Sequence, residues 1–375
     1  MRILANENIP GLAVERLRQE GRYTVVYAES AERQRKVVIS GYEALATAQA
    51  GESAAAVAAA DLLALAVYPR AFEQVARQLV PGLLARRTDR PDTPLDILLC
   101  TNLVHAGPQF RAALQEALPP EAQSYAETQV GVVETLVIRI SPDPPADLRV
   151  RDPLLVWTNG YPELPVDRHG FVGPISSVPG LRPVDDMRAE EVRKLYTYNT
   201  FHAALAYMGA LRGHTLIAEC MADRTVRAEA QGALDEASRA LQAEHGFSAA
   251  EMARWTEGVV RYTDNPVLGD TVRRYGADPR RKLRREDRLV GPALLAYAHG
   301  IDPHHLIRAI AAALRFDEEG DPGAAYVRQR VGALGVEEAV PELCGLTPAE
   351  QDMARAIVQA YRLFKPARNY SAGRR

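Results

Sequence analysis

The sequence predicts an α/β domain built on a parallel sheet, followed by an all-helical domain. Short apolar strands alternate with helical patterns over the first 140 residues, which is typical of a parallel sheet covered by helices. From Met187 almost to the end the pattern is helical, with breaks expected at glycines and prolines such as Gly246, Pro279 and Pro341. The proline- and glycine-rich residues 141–185 form a predicted connector. The expected domains are therefore 1–185, including the connector, and 186–375.

The strands of the first domain are predicted from apolar segments rich in β-branched residues. They are residues 1–5, 23–28, 36–45, 61–68, 96–102 and 133–141, and helical patterns between them cover residues 12–21, 71–87 and 108–118. In open parallel sheets, ligands bind beyond the carboxyl ends of the strands. Two predicted strands end in residues that could serve there, Tyr68–Pro69 and Asn102.

Composition and charge restrict the possible functions. A chain of 375 residues, 47% hydrophobic and 25% charged, is long enough for two soluble domains with their own cores. Its net charge of −3 argues against binding to nucleic-acid phosphates. We expect a cytoplasmic protein, since no signal peptide or membrane-spanning apolar run is apparent. The three cysteines are odd in number and far apart, so neither disulfides nor a metal site is expected.

Residues 194–209, KLYTYNTFHAALAYMG, place three polar side chains of different chemistry at the start of a predicted helix. At about 100° per residue, Lys194, Asn199 and His202 would share one arc of its surface. Such an arc is either an ordinary solvated helix face or the wall of a cleft. On the second interpretation, these three residues and Asn102 would converge between the domains.

The spacing K-x4-N-x2-H resembles the signature of the polyol-specific long-chain dehydrogenase/reductase family. CTN at 100–102 is similar to the Cys-acidic-Asn turn of these enzymes. The segments ELPVDRHGFVGP, LRGHT, DNPVLGDTVRRYGADPRRKL and EDRLVGPALLA resemble those of its mannitol-1-phosphate 5-dehydrogenase branch, in order from about Tyr23 to about Phe364. The resemblance implies a Rossmann-like dinucleotide-binding domain, a multi-helical substrate domain, NAD as hydride carrier and no metal.

The resemblance also implies roles for individual residues. Lys194 matches the general base, Asn102 and Asn199 match amides that hold the substrate oxygen, and His202 matches a residue that orients substrate. Glu191 matches a carboxylate that passes protons to solvent in some members, although a solvated i,i+3 partner of Lys194 is an equal alternative.

The implied reaction interconverts mannitol 1-phosphate and fructose 6-phosphate. The alternatives are a related polyol or sugar acid as substrate, or a truncated, non-enzymatic module without cofactor binding. A sugar phosphate needs cations, and the run RRKLRREDR at 280–288 offers Arg281, Lys282 and Arg288, unless it is a solvated helix face. We expect a small-molecule partner, no membrane or nucleic acid, and a monomer or weak homodimer.

The start of the chain departs from the family pattern. Only Gly11 stands where a glycine-rich turn would receive the pyrophosphate at a helix N-terminus. The first βαβ unit is therefore expected to be missing, or replaced by residues 1–5, a helix and residues 23–28, and the N-terminus to be atypical or truncated. Tyr68 replaces a glycine beside the cofactor, and Ile138 replaces an ordering aspartate. The resemblance implies that Tyr68, Pro69 and Asn102 border the cofactor. Because the glycine-rich turn is lost and Tyr68 replaces a small residue, we expect weak NAD binding.

Overall fold

The computed structural model describes residues 2–5, 12–30, 32–103, 105–175 and 177–364. These residues form two compact units. The first extends to Glu191, and the second begins at Val192 and also includes the short segment Glu29–Glu32. The predicted fold class, a Rossmann-like parallel-sheet domain followed by a helical domain, is confirmed. The exact domain limits 1–185 and 186–375 stay a prediction.

The first unit alternates strands and helices, as expected. In chain order its elements are β1 (Arg2–Ala5), α1 (Leu12–Glu20), β2 (Arg22–Ala28), β3 (Gln34–Ser40), β4 (Glu43–Ala46), α2 (Ala50–Ala59), β5 (Leu62–Leu65), α3 (Phe72–Asp89), β6 (Leu95–Leu99), α4 (Ala106–Ala117), α5 (Pro120–Gln129), β7 (Val130–Glu134), α6 (Ala146–Arg151), β8 (Val156–Thr158), β9 (Leu164–Asp167) and β10 (Leu181–Val184). The predicted connector thus contains α6 and β8 to β10.

The opening βαβ unit is present but atypical. β1 pairs in parallel with β4, with Arg2 opposite Glu43, and α1 lies between them in the chain. The expected replacement unit, in which residues 1–5 and 23–28 would be its two strands, is wrong because residues 23–28 lie in β2 and do not pair with β1. β2 instead pairs antiparallel with β3 and parallel with β8. The predicted strand 36–45 is two strands because Gly41, at φ +70°, turns the chain between β3 and β4.

β5, β6 and β7 form a parallel sheet in that order. β7 ends at Glu134, opposite Leu99, because β6 ends there and offers no further partner, so the predicted strand 133–141 is too long. Against these strands pack buried side chains of α3 and α4, with Phe72 and Phe110 in edge contact at 5.3 Å. Burial of each such side chain contributes about 1.5–3 kcal/mol. This core fixes the carboxyl ends of β5 and β6.

The second unit is built from helices. They are α7 (Met187–Tyr196), which begins in the first unit, α8 (Tyr198–Leu211), α9 (Ile217–Ala222), α10 (Arg224–His245), α11 (Ala249–Thr263), α12 (Val272–Gly276), α13 (Pro279–Lys282), α14 (Val290–Ala298), α15 (His304–Ala313), α16 (Pro322–Leu334), α17 (Val336–Cys344) and α18 (Gln351–Leu363). α8 is its central helix, with Phe201, Leu205 and Tyr207 fully buried. In the described part of the chain, no helix combines the length and apolar character needed to cross a bilayer.

Candidate active site

The predicted helix through Lys194, Asn199 and His202 is interrupted at Thr197. α7 ends at Tyr196 and α8 begins at Tyr198, since Thr197 adopts φ −119° and ψ −75°. The expected unbroken helix is therefore wrong, and the common arc of the three side chains stays a prediction. Lys194 lies in the last turn of one helix, and Asn199 and His202 lie in the first turns of the next.

Threonine hydroxyls stabilise this break. The fully buried Thr197 donates its hydroxyl to the carbonyl of Arg193 at 2.5 Å and accepts a bond from the indole N–H of Trp255 at 2.8 Å. Thr200 donates to the carbonyl of Arg288 at 2.6 Å. Side-chain bonds of this kind satisfy backbone groups that lose helical partners at a helix end. They also tie α8 to the segment that carries Arg288.

The side chain of Arg193 holds the end of α7 in place. It is 2% exposed, forms an ion pair with Glu251, and its guanidinium carbon lies 4.1 Å from the ring centroid of Trp255 and 4.7 Å from that of Phe247. Such desolvated cation–π contacts contribute about 2 kcal/mol. The neighbouring Lys194 is thus carried on a rigid helix end.

His202 lies between aromatic and polar groups of the same unit. Its Nε2 is 2.9 Å from the hydroxyl oxygen of Thr263. Its ring stacks on Tyr275 with centroids 4.3 Å apart and meets the edge of Tyr198 at 6.2 Å. Burial first, and then the positive charges of Arg288, Arg274, Lys194 and Lys282, together lower the pKa of His202 to about 3. His202 is therefore neutral near pH 7 and cannot donate a proton as an imidazolium.

Four side chains share the property that their positive charges lower the pKa of His202. We call them the cationic cluster: Lys194, Arg274, Lys282 and Arg288. Two of the phosphate-binding candidates, Lys282 and Arg288, belong to it. The third, Arg281, has a side chain 49% exposed and pairs with Asp278 at 3.3 Å. Arg274 is not among the phosphate-binding candidates predicted from the sequence, because nothing local distinguishes it from the other arginines of its segment.

Lys282 is almost completely buried, at 4% exposure. Its ammonium donates a hydrogen bond to the carbonyl of Tyr275 and lies 5.8 Å from the ring centroid of Tyr207. Burial lowers the pKa of Lys282 to about 7, and the nearby charges of Arg288 and Arg281 contribute. Of its three N–H donors, one is used by Tyr275, so a ligand could take another.

The two arginines of the cationic cluster are paired with carboxylates. Arg288 donates to Asp287 at 2.7 Å, and both side chains are largely buried, at 13% and 15% exposure. Arg274 pairs with Asp270, which also accepts the hydroxyl of Tyr275 at 2.8 Å.

In the first unit, the predicted cofactor-bordering residues follow the neighbouring parallel strands β5 and β6. Tyr68 is 75% exposed, with the guanidinium carbon of Arg70 5.4 Å from its ring centroid, and Pro69 begins a 3₁₀ turn before α3. Asn102 is also exposed. Because adjacent parallel strands end at the same sheet edge, these residues share that edge. The predicted convergence of Asn102 with Lys194 joins the two units and stays a prediction.

Two family models match almost the whole chain. The mannitol dehydrogenase Rossmann domain matches residues 4–177, and the mannitol dehydrogenase C-terminal domain matches residues 186–339. The chain belongs to the mannitol dehydrogenase family. This confirms the resemblance read from the sequence.

Two solved structures share the fold. One is Pseudomonas fluorescens mannitol 2-dehydrogenase in a ternary complex with NAD and D-mannitol, with a TM-score of 0.69, 19% identity, and coverage of 93% of this chain and 82% of that one. The other is a D-sorbitol dehydrogenase in substrate-free form, with a TM-score of 0.79, 16% identity, and coverage of 96% and 86%. At such identities the likeness concerns the fold alone.

Family membership raises the question of where this chain could hold a dinucleotide. β1, α1 and β4 form a parallel βαβ unit, and β5 and β6 are adjacent strands of a second parallel sheet whose carboxyl ends share one edge. These elements fit a dinucleotide site. The segment between β1 and α1, including Gly11 and the expected absence of a glycine-rich turn, lies outside the described residues.

Three further site expectations can be placed in the structure. Glu191 lies one turn before Lys194 on α7, is 6% exposed and approaches Arg188 at 3.9 Å, so it is not a solvated surface carboxylate. Its role in proton transfer stays a prediction. Ile138 is buried at 4% exposure. Among the described residues, no group of three or more His, Cys, Asp or Glu side chains could hold a metal ion.

Proposed function

We propose that this protein is an NAD-dependent polyol dehydrogenase whose substrate pair is mannitol 1-phosphate and fructose 6-phosphate. Family membership supports the polyol dehydrogenase reaction. The observation that supports a phosphorylated substrate is the cationic cluster around the neutral His202.

Lys282 differs from the two arginines of the cluster in its hydrogen-bond partner. Arg274 and Arg288 are paired with Asp270 and Asp287, whereas Lys282 is bound to a neutral carbonyl. Gathering cations costs free energy unless an anion compensates them. A phosphate dianion provides that compensation through charge-assisted hydrogen bonds, and a neutral polyol does not. A sugar acid would provide one negative charge and is the second candidate.

In this mechanism the chain moves a proton and positions the reacting carbon. Lys194 in its neutral form accepts the proton of the reacting hydroxyl as the C–H bond breaks and the carbonyl forms; in reduction it returns that proton. The amides of Asn199 and Asn102 donate hydrogen bonds to the reacting oxygen as its negative charge develops.

Bound NAD would supply the acceptor for the hydride. Tyr68, Pro69 and Asn102 are the residues that would border it, at the carboxyl ends of β5 and β6. Because Asn102 is proposed to touch the substrate oxygen as well, it would keep the reacting carbon at this edge of the sheet.

The test compares NADH oxidation with fructose 6-phosphate, fructose and a keto sugar acid. We expect kcat/KM to be at least tenfold higher for fructose 6-phosphate than for fructose. Arg288→Gln should lower kcat/KM for the phosphate by about 10- to 100-fold, because a charge-assisted hydrogen bond contributes about 1.5–3 kcal/mol. The matched control is Arg284→Gln, an exposed arginine of the same run, which should change little.

Each other outcome points to a different function. Equal kcat/KM for fructose and its phosphate would indicate an unphosphorylated polyol, and a preference for the keto acid would indicate a sugar-acid substrate. A folded protein that neither binds NADH nor turns over any of these compounds would indicate a non-enzymatic module.

A further inference from the structure

The hydrogen bond between Thr263 and His202 has a defined direction. The hydroxyl of Thr263 lies 2.7 Å from the carbonyl of Val259, one turn earlier on α11. A hydroxyl has a single hydrogen, and a carbonyl can only accept. The hydrogen of Thr263 is thus used by Val259, and its oxygen faces Nε2 of His202 with a lone pair at 2.9 Å. Nε2 must therefore carry the hydrogen of this bond.

This direction fixes the tautomer of the imidazole. A neutral histidine has one protonated and one unprotonated ring nitrogen, and burial among four cations keeps His202 neutral. With the hydrogen on Nε2, Nδ1 presents a lone pair. His202 then contributes an acceptor to a site whose Lys194, Lys282 and Arg288 side chains are donors.

Tyr275 restricts the orientation of the same ring. Its ring plane makes an angle of 30° with that of His202 at a centroid distance of 4.3 Å. Both ends of Tyr275 are held: its hydroxyl donates to Asp270 at 2.8 Å, and its carbonyl accepts from Lys282. The stacking thus holds the plane of the imidazole, and the Thr263 bond opposes a 180° rotation of the ring, which would exchange each nitrogen with a carbon.

We propose that Thr263 and Tyr275 are positioning residues that hold His202 as the Nε2–H tautomer, with Nδ1 available to accept a hydrogen bond from a substrate hydroxyl. This inference rests on the proposed function for its substrate. It specifies that the substrate carries a hydroxyl donor next to His202, in addition to the reacting oxygen and any anionic group. An analogue that lacks this hydroxyl leaves Nδ1 unpaired and binds less well.

The test reads the tautomer directly, by long-range ¹H–¹⁵N NMR of the histidine side chains, with His202→Gln used to assign the signals. We expect the pattern of an Nε2–H imidazole in the wild type and a growing Nδ1–H population in Thr263→Val. Thr263→Ser, which keeps the hydroxyl, should restore the wild-type pattern. The matched control is Thr256→Val, because Thr256 also donates to the carbonyl one turn earlier, that of Met252 at 2.9 Å, and lies on the same helix.

Kinetics give a second readout. Thr263→Val and Tyr275→Leu should raise KM for the sugar substrate by about 3- to 10-fold, the loss of one ordinary hydrogen bond, with a much smaller effect on kcat. Tyr275→Phe keeps the stacking partner and should lie between Tyr275→Leu and the wild type. NADH affinity should be unchanged in all of them.

Two results would overturn the inference: an Nδ1–H imidazole in the wild type, or a tautomer and KM that are the same in Thr263→Val as in the wild type. Because NMR needs no turnover, the first result can be obtained even if no polyol or sugar phosphate is a substrate. Failure of the proposed function and failure of this inference are thus distinguishable.

Discussion

The buried ammonium of Lys282 donates a hydrogen bond to the backbone carbonyl of Tyr275, the residue whose ring stacks on His202. A lysine in this position links the candidate phosphate-binding run to the histidine of the candidate site. Its burial also makes its charge costly, and its pKa is lowered to about 7.

This lowered pKa predicts a pH-dependent contribution to stability. Below about pH 7, Lys282 is protonated in both the folded and the unfolded protein. Between about pH 7 and pH 10.5 only the unfolded protein binds the proton, so the contribution of Lys282 to the free energy of unfolding rises with pH, by about 1.4 kcal/mol for each unit of the pKa difference. Urea unfolding at pH 6.5, 8 and 9.5 should show that wild type gains stability relative to Lys282→Met. Parallel curves for the two proteins would contradict the lowered pKa.

Lys194→Ala is expected to remove the general base. Turnover should fall by about 10²–10⁴-fold, the usual loss for an acid–base group, while NADH affinity stays nearly unchanged. Added primary amines should restore part of the activity. His202→Ala should mainly raise KM, because a neutral imidazole with a pKa of about 3 orients substrate and does not protonate it. If His202→Ala abolishes turnover and Lys194→Ala only weakens binding, the assignment of the base is wrong.

Tyr68 predicts weak NADH binding. It follows the carboxyl end of β5, where the resemblance read from the sequence implies a glycine beside the cofactor, so Tyr68→Ala should tighten the Kd for NADH by up to about tenfold, or about 1.4 kcal/mol. Fluorescence titration measures this, with Tyr297→Ala, an exposed tyrosine of the second unit, as control. A wild-type Kd in the low micromolar range, unaltered in Tyr68→Ala, would show that the ring does not obstruct the cofactor.

Thr197→Val tests the interruption between α7 and α8. The change removes the acceptor of the Trp255 indole inside the protein, which should cost about 1–3 kcal/mol of unfolding free energy. Thr88→Val removes a similar hydroxyl bond, to the carbonyl of Leu84, at an exposed position and should cost less than about 0.5 kcal/mol. Equal losses in the two variants, measured by urea unfolding, would contradict a structural role for Thr197.

The order of strands and helices could be predicted from the sequence because its apolar periodicities are local. Gly246 ends α10 in a left-handed conformation and Pro279 opens α13, as their residue types suggest. Pro341 was expected to end a helix but lies inside α17, where the buried Val340 and Leu343 hold the helix by tertiary packing.

Strand pairing and the interruption of the α7–α8 helix depend on residues far apart in the chain. The pairing of β1 with β4 skips a hairpin that carries equally good strand residues. Thr197 breaks a favourable helix pattern because Trp255 supplies a partner 58 positions later. The K-x4-N-x2-H spacing identified Lys194 and His202 as site candidates, whereas no spacing in the sequence connects Thr263 or Tyr275 with His202, and they meet it only in the folded unit.

Hydride transfer from NADH to a phosphorylated ketose can be followed with deuterium. NADH carrying deuterium at the transferred position is incubated with the protein and fructose 6-phosphate, and the product is analysed by mass spectrometry. We expect mannitol 1-phosphate with one deuterium at the former carbonyl carbon, formed far more slowly by Lys194→Ala. If the protein transfers deuterium to fructose and leaves fructose 6-phosphate unlabelled, the proposed phosphorylated substrate is wrong.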